Sequence, residues 1–508
     1  MTEALIAVIP IATVLVLMLV ARWPAVRAGV AGLIVALVLA VLFFPFESVD
    51  NDIVLGISGS LAEAMFTALT ILWIILPALA IYRLQTETGA VDSLRSGLAQ
   101  LSSDPRLTAL VVAWFFALLL EGAAGFGTSA ALAAPFLVAI GMGPVAAVTA
   151  AMLGHIVGVT FGAVGTPVVP MVTASGLEPV EISASMALQA SVVGWVVPVV
   201  VAVLIARSYA DHAAQAGWAR WGLPLIAAVA FLVPFLLIAV FVGPELPTLG
   251  GAIAGGAVVI LLIRRFAAHE SPAADPDAEG MSLAKAMAPY LILVALVLLT
   301  RLVGPLREAL QSIELSWSAA DGTFSGSFQP FYHPGTMLFI SFLLGALVQR
   351  ARPDQLRDSL AGAGRTLIPV AAALMAMLSL ARIMVHAGMV DAIAAAAADA
   401  LGGAWPLLAP SVGALGTFVT GSATASNALF SDLQVATAEA IGQDVAVMLG
   451  AQGLGAALGN AIAPHNLIAA AAIVALAGRE NEILRRTIPV VIPLVLAAGA
   501  VALVLANL

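Results

Sequence analysis

The sequence predicts an all-α polytopic membrane protein, with about twelve transmembrane helices plus two re-entrant hairpins in an inverted repeat. Three observations carry this. First, the 508 residues are 62% hydrophobic and only 10% charged, where a soluble domain carries roughly 25% charged residues. Mean hydropathy is +1.09. Second, apolar runs of ~20 residues recur from end to end, long enough to cross hydrocarbon as helices and too long for barrel strands. Third, polar strings rich in glycine and serine interrupt some of these runs at matched spacings in the two halves.

Full-length spans fall near residues 4–21, 28–46, 61–82, 144–176, 182–206, 221–242, 248–264, 285–302, 335–349, 365–387, 443–477 and 487–507. The N-terminal "MTEALIAVIPIATVLVLMLVARWPAVR" opens with an acidic residue and lacks a small-residue cleavage site. It reads as a first span rather than a signal peptide. Residues 107–141 and 406–441 differ. Each has two apolar arms of ~14 residues around a polar centre, and at 1.5 Å per residue such an arm falls short of the ~30 Å core.

Basic residues fix the orientation. Arg22 and Arg27, Arg83 to Arg106, Arg207 and Arg220, Arg264 to Lys285, Arg350 to Arg365 and Arg479 to Arg486 belong on the cytoplasmic side. Their alternation with acidic or neutral loops works only if 107–141 and 406–441 each enter and leave on one side, the first inside and the second outside. Both are therefore predicted to be re-entrant, with both termini outside. "HESPAADPDAEGMS" marks a cytoplasmic linker over 267–283, between a first half, 1–266, and a second half, 284–508.

The halves repeat. "FGTSAALAAP" sits beside "TGSATASNALF", and "AMLGHIVGVTFGAVGTPVVP" beside "VMLGAQGLGAALGNAIAPHNLI". Gly127 and Gly421 are 294 residues apart, Gly154 and Gly450 296, Pro167 and Pro464 297. Interruptions are expected at the two hairpin tips and in two broken helices, 144–176 and 443–477, at Gly165-Thr166-Pro167 and Pro464-His465-Asn466. Non-helical backbone survives at membrane depth only where protein buries it or it lines a cavity. Inverted-repeat transporters bind substrate there.

The net charge of −9 is spread over loops and points to no nucleic acid. Cysteine is absent, which excludes disulfides and thiol chemistry. The sequence carries no nucleophile triad, metal cluster or nucleotide motif, so an enzyme is not expected, nor a cofactor. A channel is disfavoured by the lack of a charged ring.

At its motifs the chain resembles the lactate permease family, which includes glycolate permeases. The matching pieces are "DPRL", "LEGAAGFG", "FGAVGTPVV", "VGPELP", "FVTGSATASNALFSDLQ" and "LAGRENEILRRT", in the family's order and across most of the chain. The resemblance implies a multi-pass inner-membrane carrier of a small monocarboxylate, of the L-lactate or glycolate 2-hydroxy acid type, by proton symport. An elevator motion and a homodimer follow by analogy with related carriers. The same resemblance leads one to expect an acid where Ala423 stands, a lysine near Asn460, a glutamine-serine pair at His465-Asn466 and an asparagine at His155. The paired loss of acid and lysine suggests another substrate or another source of positive charge. The alternatives are another small organic anion as substrate, or coupling to sodium through the neutral oxygens of Thr424, Ser426, Asn427 and freed carbonyls.

Candidate site residues follow. Glu121, unpaired in sequence at membrane depth, is either a proton-coupling group or a structural acid accepting from glycine N–H groups. His155 is a proton carrier, a carboxylate donor or a packing histidine. Substrate binding is expected at Gly125, Gly127, Thr128, Ser129, Thr166, Thr424, Ser426, Asn427, His465 and Asn466, where glycines admit backbone N–H groups and hydroxyls and amides supply hydrogen bonds. Capping of the returning arms is the competing role for the hydroxyls. Arg382 and His386, four apart on one span near the outer leaflet, read as snorkelling or structurally paired side chains, or as a gate, and Asp432 is ambiguous.

Overall fold

A computed structural model of the chain describes residues 2–21, 23–46, 49–99, 101–102, 104–125, 128–209, 217–266, 281–476 and 479–508. The linker expected over 267–283 lies almost wholly outside them. Among the described residues, eleven helices are long and apolar enough to cross a membrane, or twelve if the bent pair Met389–Leu407 and Ala409–Thr420 counts as one. The protein is a multi-pass helical membrane protein.

Two long helices, Ile53–Glu87 and Pro353–His386, pack along one another, and Pro353–His386 also packs against Ala25–Phe43. Asp52 caps the first, its carboxylate accepting from the Leu55 N–H at 3.0 Å. Leu283–Leu302 and Pro334–Gln349 complete this group. A second group holds both predicted hairpins and both predicted broken helices, together with Pro179–Gly194, Pro247–Phe266 and Glu480–Ala506. Small residues bring its backbones together, as expected where no hydrophobic drive separates helix from lipid. A Cβ on Gly154 would overlap the Ala113 carbonyl, and Cβ atoms on Gly413 and Gly455 would overlap the carbonyls of Gln452 and Pro410.

Three expectations are corrected. The chain is not purely helical: Leu315–Ala319 pairs antiparallel with Phe324–Phe328, Leu315 opposite Phe328. Phe324 anchors this ribbon, fully buried with its ring 4.7 Å from the His386 ring. The first arm of the first hairpin runs Pro105–Ala123, 19 residues rather than ~14. It contains a π-helical turn, Val112–Phe116, where Gly154 lies against Ala113. An amphipathic helix, Met389–Leu401, precedes the second hairpin where no element was expected.

Candidate functional site

The first broken helix begins as Pro144–Gly154 and loosens into a 3-10 segment, Ile156–Phe161. Ala163, Val164 and Gly165 then turn left-handed, with φ of 44°, 55° and 78°. A β-branched residue in that region is a true outlier and stores strain. Gly165 is required here, since a Cβ on it would come 2.6 Å from the Pro244 carbonyl oxygen. Thr166 Oγ1 donates to the Ala163 carbonyl at 2.5 Å. Pro167 starts the chain helical again, at a position whose N–H has no partner to lose. Every residue from Ala151 to Val168 is buried.

The first hairpin tip rests on this turn. Gly125 has φ of +57°, and a Cβ on it would sit 3.0 Å from Ala163 Cβ. Glu121, 4% exposed, accepts at Oε2 from Ser129 Oγ at 2.8 Å. A Cβ on Gly162 would come 2.6 Å from Glu121 Oε1, so glycine leaves room for the carboxylate. Among the described residues, Glu121 has no ion-pair partner.

The second broken helix runs Val445–Gly459, Asn460–Ile462 and, after extended Ala463, Pro464–Ile473. The second hairpin, Ala409–Thr420 and Ala423–Ile441, turns at Gly421, φ +73°, and Ser422. Ser422 caps the returning arm by accepting from the Ala425 N–H at 3.3 Å. Gly421 lies against His465, and Asn466 Nδ2 donates to the Gly421 carbonyl at 3.2 Å and to the Asn460 carbonyl at 3.4 Å. The N-termini of Ala423–Ile441 and Pro464–Ile473 thus meet at one corner, carrying the partial positive charge of free N–H groups. Unlike the first break, this corner is open: His465 is exposed, and Thr420, Gly421, Ser422, Asn460 and Asn466 are half-buried.

The halves touch at the breaks. Asn427 Nδ2 donates to the Pro167 carbonyl at 2.9 Å. His155 Nδ1 is 2.7 Å from the Ala151 carbonyl, and Nε2 is 3.3 Å from Asn460 Oδ1. A carbonyl only accepts, so Nδ1 carries a proton. Nε2 then either accepts from Asn460 with its amide turned over, or donates as imidazolium. The second part of each broken helix packs on the returning arm of the other half's hairpin: Val169–Ser175 on Ala423–Ile441, and Pro464–Ile473 on Thr128–Ala139.

Not all expected site residues are free to bind. Ser129 and Thr166 hydroxyls are engaged as above, and Ser426 Oγ donates to the Gly413 carbonyl at 2.8 Å. Asn427 is spent on Pro167. The Thr424 hydroxyl has no hydrogen-bond partner among the described residues. Gly127 and the Thr128 side chain lie outside the described set. Thr420, Ser422 and Asn460 reach the open corner although sequence reasoning did not choose them. Ala423 packs on Val159, Ala456 and Ala457, one turn before Asn460. Ala423 and Asn460, where an acid and a lysine were expected, thus lie close together. Arg382 is paired: its Nη2 bridges both Asp432 oxygens at 2.6 and 2.8 Å. His386 Nε2 stands 2.7 Å from Glu63 Oε2.

A helical protein of this span count, with helices interrupted where polar groups gather in its interior, has the build of a membrane transporter. The sequence profile described as L-lactate permease matches residues 3–508, and the chain belongs to the L-lactate permease family. It is a multi-pass protein of the inner membrane. It is 29% identical to the L-lactate permease of Streptococcus iniae over 443 residues, covering 86% of this chain and 91% of that one. It is 26% identical to the glycolate permease of Escherichia coli (strain K12) over 539 residues, covering 96% and 92%. Among solved structures, the antimetabolite efflux pump MtrF of Neisseria gonorrhoeae aligns with a TM-score of 0.49 at 16% identity, over 90% of this chain and 85% of that one.

Proposed function

We propose that the protein is a secondary active carrier of a small 2-hydroxymonocarboxylate, of the L-lactate or glycolate type, by proton symport. The open corner of the second break carries this reading. Two helix N-termini and an exposed His465 converge there, and among the described residues no carboxylate pairs with His465. That corner suits a carboxylate. Its hydroxyl neighbours Thr420, Ser422 and Thr424 suit the 2-hydroxyl group.

The halves are read as an inverted repeat, with hairpins that re-enter from opposite sides. Under that reading the tip glycines align Glu121 with Leu415, 294 residues on. The first half therefore brings its own carboxylate to its tip, and the second half leaves the anion's place to the substrate. Glu121 then serves as the proton-coupling group, with His155 between the two breaks. The hairpins and broken helices form the moving unit of an elevator, and the group around Ile53–Glu87 and Pro353–His386 forms its scaffold.

Reconstitution in vesicles tests this. Labelled L-lactate, glycolate, acetate and pyruvate are offered under separate proton and sodium gradients. Accumulation of L-lactate or glycolate driven by protons alone is expected. Accumulation driven only by sodium would replace proton symport with sodium coupling, and uptake of none of the four would sink the substrate class.

A further inference from the structure

A chain of buried amides crosses the second half and ends on the first break. Trp405 Nε1 donates to Gln434 Oε1 at 2.8 Å, and Gln434 Nε2 donates to Gln452 Oε1 at 3.0 Å. Gln452 Nε2 donates to Asn427 Oδ1 and to Ser426 Oγ, each at 3.4 Å, and Asn427 Nδ2 donates to the Pro167 carbonyl at 2.9 Å. Gln434, Gln452, Ser426 and Asn427 are fully buried, and Trp405 is 8% exposed.

The ends of this chain fix its direction. An indole N–H can only donate, and a backbone carbonyl can only accept. Each amide between them must therefore point its oxygen towards Trp405 and its nitrogen towards Pro167. Turning any one over would set two donors or two acceptors against each other. Ser426 obeys the same polarity, accepting from Gln452 while donating to Gly413. The far end has a need to meet. Pro167 lies in a 3-10 segment, where its carbonyl would take the N–H of the third residue on, but residue 170 is proline. Asn427 supplies that donor from the other half.

We infer that Trp405, Gln434 and Gln452 are positioning residues: through Asn427 they hold the first break in its left-handed, sealed form. A fully satisfied buried network rigidifies what it holds, and a partly satisfied one does not. The inference bears on transport only through the proposed role of the breaks, but the grip itself can be measured without any substrate.

The cysteine-free chain permits a direct test. Val168, 1% exposed and next to Pro167, is replaced by cysteine, and maleimide labelling of the full-length protein in vesicles reports opening of the break. Rates are compared with Val168→Cys alone at the same pH. Adding Gln452→Met should raise labelling about tenfold, and the distant Trp405→Phe about threefold, as local opening becomes easier. Gln452→Glu distinguishes hydrogen-bond direction from packing. A protonated carboxyl accepts from Gln434 and donates to Asn427, whereas a carboxylate cannot donate. Full burial at this position raises a carboxyl well above its usual range, so labelling should match the parent near pH ~5.5 and approach the Gln452→Met rate near pH ~9.5. Labelling of Gln452→Glu that is the same multiple of the parent at both pH values would overturn the inference, as would parental rates in both Gln452→Met and Trp405→Phe. Failure of lactate and glycolate uptake in the parent would count against the proposed substrate and leave these labelling results to stand or fall alone.

Discussion

The two breaks are built on the same plan and finished differently. In each, a hairpin tip with a left-handed glycine, Gly125 or Gly421, rests on an interrupted helix. The first is sealed: residues 151–168 are all buried, and a carboxylate from the hairpin, Glu121, sits at the returning arm on the Ser129 hydroxyl. The second is open: His465 is exposed, its neighbours are half-buried, and among the described residues no carboxylate pairs with His465. Strain lies on the sealed side, at Ala163 and Val164, where surrounding packing can over-determine it. The open side needs only an ordinary proline start, Pro464, after extended Ala463. On the proposed reading, the frame filled from within serves as the proton site, and the frame left unfilled receives the substrate.

Glycine replacement gives the largest expected contrast. At Gly165, alanine must adopt φ of +78° and also place Cβ 2.6 Å from the Pro244 carbonyl oxygen, which is backbone and cannot swing away. At Gly421 the angle is similar, φ +73°, but the nearest atom is His465 Cβ at 3.2 Å on an exposed residue. Gly165→Ala should cost more than ~3 kcal/mol and yield little folded protein, while Gly421→Ala should cost about 1–2 kcal/mol. Thermal unfolding of the detergent-purified variants decides, and equal losses would mean that the first break is no more constrained than the second.

Next in size is the effect of Glu121→Gln. The amide keeps the shape and can still accept from Ser129, but it cannot exchange a proton. Exchange of labelled for unlabelled substrate should persist, while proton-driven accumulation should fall at least ~10-fold, the scale of losing an essential proton group. A stable variant that still accumulates with normal coupling would remove Glu121 from the coupling role. Parallel loss of exchange, accumulation and stability would make it a structural acid.

The histidines separate binding from packing. His465→Gln should weaken substrate affinity about tenfold with little change in stability, because its side chain is exposed and a hydrogen bond to a charged group contributes about 1.5–3 kcal/mol. His155→Gln should reduce stability by about 1–2 kcal/mol, since His155 is buried and bridges Ala151 to Asn460. Measured substrate affinities and unfolding midpoints that show the reverse pattern would move the anion site to the sealed break.

Much of this frame was legible in the sequence, for physical reasons. Apolar run length dictates spans, and Gly-Thr-Pro and Pro-His-Asn mark where helical hydrogen bonding must lapse. The open corner itself was harder to read. Ser426 and Asn427 look like binding groups, yet their partners are the carbonyls of Gly413 and Pro167, the latter 260 residues away and invisible to local pattern. Gln434 and Gln452 lie inside apolar helices, and only their mutual contact gives them meaning. The Leu315–Phe328 ribbon escaped because five-residue strands within a polar loop carry little periodic signal. Pairing of Arg382 with Asp432 was open to inference from two charges at membrane depth, but not its bidentate geometry.

The smallest expected effect concerns the roof over the sealed break. Pro244, whose carbonyl faces Gly165, is followed by Glu245, and Arg301 Nη2 binds Glu245 Oε1 at 2.5 Å. Arg301 also lies 3.5 Å over the Tyr332 ring, beside His333. His333 caps Pro334–Gln349, its Nδ1 accepting from the Gly335 N–H at 3.3 Å. Burial, and then the Arg301 cation, hold this imidazole down at about 4 from its usual 6.5. The folded state thus resists a proton that the unfolded chain takes up readily. Stability from this group is complete above pH ~6.5 and declines as pH falls towards ~4, a loss of about 1 kcal/mol between about pH 7.5 and 5.5. Asparagine at this position still caps the helix but does not titrate. The unfolding midpoint of His333→Asn should therefore change less than that of the natural protein across this interval. Parallel declines would show that acid weakens the protein elsewhere and that the roof of the first break is insensitive to pH.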